Sequence, residues 1–360
     1  MAENHSKTQP RYQIIAAEMR KMIRRQNLEP HTLLPSQSQL LEHFQCSLST
    51  LRHALDDLER SGILYRRHGA GCFVAPIVEK KPILLVGNAI TQDLLYGGHG
   101  EVYEDFWNFF RGALAASEEE NLRYRPMVIS RDRLDGMIQQ LPQAFPGLGG
   151  VIFMRGHQEI LNRQAVLSRL KIPWLYCGPN YIAQKFTGYP ALIQDEVTIG
   201  AQAAAFLAER GYRRIARIGA NPALIHQHRE KYFCQAAKEL GLTVLPEDFL
   251  ICPEEELRTS PQLPELCRRC DAVYCFTSML AVPTLQGARD HGFRIPEDVG
   301  VLCVDNPVYS RYTHPALSVI SIEHVENGKR AFSHFCRYLD GLAETLHIPG
   351  KIEVIARESL

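Results

Sequence analysis

Between residues 36 and 69 the chain gathers hydroxyl, amide and basic side chains at spacings suited to holding a polyanion. Ser47, Ser49, Thr50, Arg52 and His53 crowd one short stretch, and Ser36 and Gln37 stand ahead of it. Each can donate to a phosphate oxygen or a base edge. Arg66, Arg67, His68 and Gly69 then follow in a row, two guanidiniums and an imidazole beside a glycine that lets backbone approach DNA closely. The rest of the chain shows no sign of catalysis. It has no Walker-type phosphate loop, no GxSxG elbow, no HExxH pair and no paired-carboxylate signature. Cys267 and Cys270 form a lone CxxC with no second pair at zinc-site spacing, so neither a metal site nor a cofactor is expected.

These donors need a scaffold, and the flanking pattern supplies one. Tyr12, Ile15, Met19, Met22 and Ile23 recur at helical spacing after Pro10, which predicts a helix ending near Asn27. Ser36 can cap a short helix that turns Leu40, Leu41 and Phe44 inward. Ser47 can cap a third, with Leu51, Ala54, Leu55 and Leu58 as its apolar stripe and Gly62 as its stop. Two β-like runs, 63–67 and 72–75, meet at His68-Gly69-Ala70-Gly71 as a hairpin. Helix, helix, helix and hairpin is the layout of a winged helix-turn-helix, whose third helix enters the major groove by its N-terminal end. Residues 1–76 carry ten Lys/Arg against seven Asp/Glu within a chain balanced at 40 of each, so the front is mildly basic.

This segment resembles the GntR family of repressors. The resemblance rests on Leu34-Pro35-Ser36, Ser47, Thr50-Leu51-Arg52, Ala54-Leu55, Leu58, Gly62-Ile63 and Gly69-Ala70-Gly71 with Phe73-Val74. Leu48 and Ser38 stand where family members carry basic residues, and His31 where they carry glycine. The framework thus implies the family fold, while the base sequence it reads is expected to differ.

Residues 10–76 are read as this domain and 77–82, with their prolines and lysines, as a linker. From 83 to 360 apolar β-type runs alternate with helical stretches, as in 83–86, 150–154, 215–218, 272–276 and 299–304. Alternation of this kind makes an α/β domain of parallel sheets flanked by helices, here in two lobes with a ligand cleft at the strand C-terminal ends. Predicted helices include 106–120, 198–210, 229–240 and 280–291, with His157, His226 and His228 in loops.

Asp195 to Gly200, Gly211-Tyr212, Arg229 with Phe233, Ala272 to Ala281, Ile295-Pro296-Glu297-Asp298-Val299, Asp305-Asn306 and Pro315-Ala316-Leu317 resemble the LacI family and, more distantly, periplasmic sugar-binding proteins. The resemblance implies a two-lobed periplasmic-binding-protein-like domain and an effector site. Arg229 takes the place of the family's effector-contacting arginine, Phe106 that of an aromatic packed on the ligand ring with Trp107 beside it, and Asp305 that of a carboxylate accepting sugar hydroxyls. Ser278 replaces the family's aspartate and Tyr232 its glycine, which alters the usual sugar-binding pattern.

The expected whole is a cytoplasmic, dimeric repressor, not an enzyme. Its expected partners are palindromic double-stranded operator DNA and a small effector, in all expectation a sugar, with no membrane contact. A binding protein or enzyme without DNA contact is the alternative reading. The polar segment 1–9 carries no secretory signal, and no apolar run is long enough to span a bilayer. The ten scattered cysteines fit a reducing compartment.

Overall fold

A computed structural model describes residues 10–360 apart from 27, 61, 76–79, 88–99, 121, 155–156, 187 and 221–223; side chains at 24, 100–103 and 157–162 are also left undescribed. The first half of the expected linker, residues 77–79, therefore lies outside the described residues, as does Asn27. The chain divides into two compact units, Met1–Lys81 with Ala116–Arg125, and Pro82–Ala115 with Pro126–Leu360.

The first unit contains the head. Its helices are α1 (Arg11–Arg25), α2 (Gln37–Phe44) and α3 (Leu48–Arg60), followed by β1 (Leu64–Arg67) and β2 (Gly71–Val74). Ser36 caps α2 through a capping box with Gln39. Ser47 Oγ accepts from Thr50 N at 3.2 Å and caps α3. Leu51, Ala54, Leu55 and Leu58 of α3 are all buried against Ile15, Ala16 and Met19 of α1. The hairpin pairs Leu64 with Val74 through to Arg67 with Gly71. Its turn needs Gly69 and Gly71 at positive φ, +73° and +110°.

The second unit holds the two-lobed body. One sheet has the order β13-β7-β6-β5-β3-β4 and the other β14-β12-β11-β10-β8-β9. The first is built from β3 (Lys81–Gly87), β4 (Tyr124–Ser130), β5 (Gly150–Met154), β6 (Trp174–Pro179), β7 (Ala191–Gln194) and β13 (His347–Pro349). The second takes β8 (Ile215–Gly219), β9 (Phe249–Ile251), β10 (Ala272–Cys275), β11 (Gly300–Val304), β12 (Ser318–Ile322) and β14 (Ile352–Ile355). Their registered pairs are parallel except β12–β14. Strands β8, β10, β11 and β12 are buried along their whole length; β10 and β11 read as unbroken apolar runs, while β8 carries Arg217 and β12 carries Ser318 and Ser321.

The helices are α4 (Gly100–Glu119), α5 (Arg131–Met137), α6 (His157–Arg169), α7 (Glu196–Glu209), α8 (Leu224–Glu239), α9 (Gln262–Arg269), α10 (Ser278–Asp290) and α11 (His324–Leu339), with short single turns between. Several begin earlier than their apolar pattern predicts. Phe106 lies in the second turn of its helix rather than opening it, and His226 and His228 are helical rather than in a loop. His157 likewise begins a helix. Strands β7, β12, β13 and β14 and helices α9 and α11 are additions to the sequence reading.

The chain passes between the sheets three times, after β7, after β12 and after β13. Asn327, 3% exposed, ties two of these passages together: its Nδ2 donates to Lys351 O at 3.1 Å and its Oδ1 accepts from Lys351 N at 2.5 Å. Gly350 N donates to Ile193 O at 2.7 Å and draws in the third. Helices α4 and α11 cross on bare backbone. A Cβ on Gly112 would stand 1.8 Å from Val325 O, and one on Gly328 1.9 Å from Phe109 O.

Candidate DNA-reading surface and effector cleft

In the head, Ser36, Gln37, Ser47, Ser49, Arg52, His53, Arg66, Arg67, His68 and Gly69 are all exposed, and Thr50 is half-buried. They gather on the start of α3, the start of α2 and the hairpin. They are not equally available. Ser47 and Thr50 are joined Oγ to Oγ1 at 2.8 Å, and both serve the cap. Arg66 is bent back on α3, 2.7 Å from Asp56 and 3.3 Å from Glu59, so its charge is largely spent inside the head. Arg67 lies over the stacked rings of Tyr65 and Phe73, 5.6 Å from each centroid, which holds its guanidinium in place on the wing. Arg52 is exposed in the second turn of α3. Leu48, the first residue of α3, is 41% exposed where the family has a base.

In the body, Arg229 is 2% exposed and sits at the centre of a polar cluster. Helix α8 carries it inward on one face with His226 and Phe233. Its Nε donates to Glu196 Oε2 at 3.1 Å and its Nη1 to Phe276 O, while Asp305 Oδ2 lies 3.8 Å from Nη1. Burial alone would lower the Arg229 pKa, but Glu196 and then Asp305 outweigh it and leave the pKa raised. Glu196, 2% exposed, also accepts from Gln194 Nε2 at 2.7 Å. It follows Asp195, whose carboxylate accepts from Val197 N and Thr198 N, so the cap of α7 fixes where Glu196 points.

Asp305 stands one residue past β11 at φ +74°. Its Oδ1 is buried without a hydrogen-bond partner, and so is the hydroxyl of Tyr274 on β10. Burial holds the Tyr274 phenol protonated, with its pKa pushed up. Ser278 is fully buried at the first position of α10, two residues beyond Phe276. Phe106 is 7% exposed, its ring against the backbone of Gly87 where β3 ends. Trp107 meets Phe106 edge-on at 5.7 Å but is 41% exposed, sharing a helix face with Leu114. Of the expected cleft residues, Arg229 and Asp305 meet directly, Ser278 is buried two residues beyond the Phe276 carbonyl that Arg229 holds, and Trp107 is the most exposed.

Glu196, Gln194, Tyr274, Asp105 and His324 escaped the sequence reading. Asp105 Oδ1 lies 3.0 Å from His324 Nε2. Next to Asp105, Glu104 accepts from Val308 N at 3.0 Å and so joins α4 to the loop after β11. Tyr181, beyond β6, stacks face to face on His228 of α8 at 3.9 Å and 3°. Desolvation lowers the pKa of His228, and burial followed by the Arg229 charge lowers that of His226. Both rings are neutral at pH 7. Cys267 and Cys270 are buried free thiols, pushed up to about 12 and about 11 by desolvation, which fits packing.

Residues 11–74 match the model for bacterial regulatory proteins of the gntR family, and residues 204–360 that for a periplasmic binding protein-like domain. The chain is an effector-controlled, DNA-binding transcriptional regulator. Its head is GntR-type and its body periplasmic-binding-protein-like. It is 24% identical to an arabinose metabolism transcriptional repressor of Geobacillus stearothermophilus across 98% of each chain. It is 30% identical to the repressor PurR of Escherichia fergusonii over 46% of this chain and 49% of that one. The regulator's fold resembles that of the transcriptional regulator CelR in a cellobiose complex, with TM-score 0.62 and 18% identity over 88% of this chain and 92% of CelR. These relatives are regulators rather than enzymes. No helix among the described residues is long and apolar enough to cross a membrane.

Proposed function

We propose that the regulator is a cytoplasmic, homodimeric repressor that binds a palindromic operator and is controlled by a neutral sugar. The carrying observation is Arg229, sealed among Glu196, Phe276 O and Asp305, with Asp305 Oδ1 and the Tyr274 hydroxyl beside it lacking partners. A buried acceptor and a buried hydroxyl left open cost stability unless a ligand or water meets them, and vicinal hydroxyls of a sugar would. An anionic effector fits less well, since Glu196 and Asp305 already outnumber Arg229 in that cluster. The arabinose repressor and the cellobiose complex among the similar proteins point to the same class.

Ser47, Ser49, Arg52, His53 and Gln37 are assigned to the operator, with Ser36, Thr50, Arg67, His68 and Gly69 in support and Arg66 in a positioning role. Two heads would present these to half-sites a helical turn or a multiple apart. Exposed apolar side chains on the body, Trp107 and Leu114 on one helix and Val308 and Tyr312 on another segment, offer material for pairing. Effector binding would favour one closure of the lobes over another, and residues 77–82 would carry that difference to the head.

Thermal-shift measurements against pentoses, hexoses and disaccharides, paired with anisotropy on DNA from the regulator's own upstream region, test the reading. At least one sugar should raise the melting temperature and change operator affinity. Stabilisation by another metabolite class alone would remove the sugar assignment. Absence of specific binding to that DNA would remove the autoregulatory operator.

A further inference from the structure

We propose that the cleft holds a divalent metal ion of the manganese-to-zinc type, ligated by Asp105, Asp305 and His324. One ligand atom from each lies within 4.8 Å of the others. The three arrive from separate places: Asp105 from the second turn of α4, Asp305 from the loop after β11, and His324 from the passage that leads out of β12 into α11.

Two features separate this trio from an ordinary polar contact. First, Asp305 is 9% exposed and its Oδ1 has no hydrogen-bond partner, although a carboxylate oxygen withdrawn from water is costly to leave open. Second, the His324 side chain is 10% exposed, and its Nε2 approaches Asp105 Oδ1 to 3.0 Å yet makes no hydrogen bond in that direction. Two ligands of one ion approach each other at such a distance without pointing a proton at one another. Two carboxylates and an imidazole suit manganese, cobalt and zinc better than calcium or copper(I). Three side chains leave coordination positions open, as in sites where a metal meets water or an oxygen-bearing ligand.

The electrostatics favour it as well. Among the described residues the salt-bridge partner shared by Glu196 and Asp305 is Arg229, and Asp105 adds a third carboxylate within the trio. A divalent ion would offset that excess and clamp α4 to the β11 loop, where Glu104 and Val308 already meet. Vicinal hydroxyls of an effector would then complete the coordination; that last step rests on the sugar reading, whereas ion binding does not.

Chelator-treated full-length protein titrated with Mn2+ and Co2+ by calorimetry tests it, with Mn2+ avoiding the thiols. One ion per chain should bind, and Asp105→Asn and His324→Gln should each weaken it at least tenfold. Pulsed electron resonance of the Mn2+ form should show a coupled histidine nitrogen that His324→Gln abolishes. This second readout holds even if one variant folds poorly. No stoichiometric binding of either ion at millimolar concentration, or binding indifferent to both substitutions, overturns the site. Because the titration uses neither sugar nor DNA, its failure leaves the repressor reading intact, and a failed sugar panel leaves the ion untouched.

Discussion

The head and the cleft hold their assigned residues in opposite ways. In the head, the residues assigned to the operator lie outside, supplied by two helix starts and one hairpin close in sequence, and held by a local core of α1 against α3. In the cleft the central cluster draws Glu196, Arg229, Phe276 and Asp305 from four segments, and they are sunk almost out of water. A surface reader is robust because each contact is nearly independent. A buried cluster is all-or-none, since every member satisfies another. Substitutions should therefore divide cleanly between the two regions.

The largest effect is expected at Arg229. Arg229→Ala leaves Glu196 and Asp305 buried without their cation, a loss of about 3–5 kcal/mol. The effector response should vanish, while operator binding by the head survives at low temperature. Urea unfolding and anisotropy on the same samples measure both. An isosteric pair, Arg229→Met with Glu196→Gln, should regain most of the stability without regaining the response. Destabilisation of under 1 kcal/mol by Arg229→Ala, or a retained response, would show that the cluster is not the heart of the cleft.

In the head the contrast is between two arginines. Arg52→Ala should cost about 1–3 kcal/mol of specific operator affinity, because Arg52 is exposed and no salt bridge among the described residues holds its guanidinium. Arg66→Ala should cost less than about 1 kcal/mol of affinity, since Asp56 and Glu59 already hold its charge. Equal losses from the two would mean that Arg66 leaves α3 on binding DNA.

How far each region could be read from sequence follows from the same contrast. The stripe Leu51, Ala54, Leu55, Leu58 gave the third helix its place, and Ser47 its start, because a surface reader keeps its core apolar. Cleft helices break that rule. The buried face of α8 carries His226 and Arg229 before Phe233, so apolar periodicity finds the helix only from Arg229 onward. Glu196 is buried at the first position of α7 and Asp105 in the second turn of α4, and both helices likewise begin ahead of their apolar pattern. Polar groups on buried faces are what a cleft needs and what periodicity reads as surface. The passage of the chain between lobes is equally silent, because short strands such as β13 and β14 carry too few residues to show where they pair.

Leu48 sharpens the comparison from the head's side. It is exposed at the first position of α3, where a base would contact phosphate. An apolar side chain there suits a thymine methyl in the major groove rather than the backbone. Leu48→Lys should add about one phosphate contact: the salt dependence of binding steepens by about one unit, and affinity for unrelated DNA rises. Affinity measured across a salt series on operator and scrambled DNA separates the two effects. An unchanged slope would place Leu48 away from the duplex.

The smallest effect concerns protons, and it belongs to the cleft. His228 is held neutral by desolvation, with its pKa below that of a free imidazole, while stacked on Tyr181. In the unfolded chain it protonates nearer pH 6.5. Between those two pKa values the unfolded state binds more protons, so stability is fully present above about pH 6.5 and declines as pH falls through the folded value. One proton sets a ceiling of about 1.4 kcal/mol per pH unit, and the exposed part of the ring brings the effect well under that. His228→Phe keeps the stack and removes the proton. Between pH 7.5 and 5.5 the wild type should therefore lose more stability than the variant in unfolding curves. Parallel losses would mean that other groups carry the acid sensitivity and that the stack tolerates a charged ring.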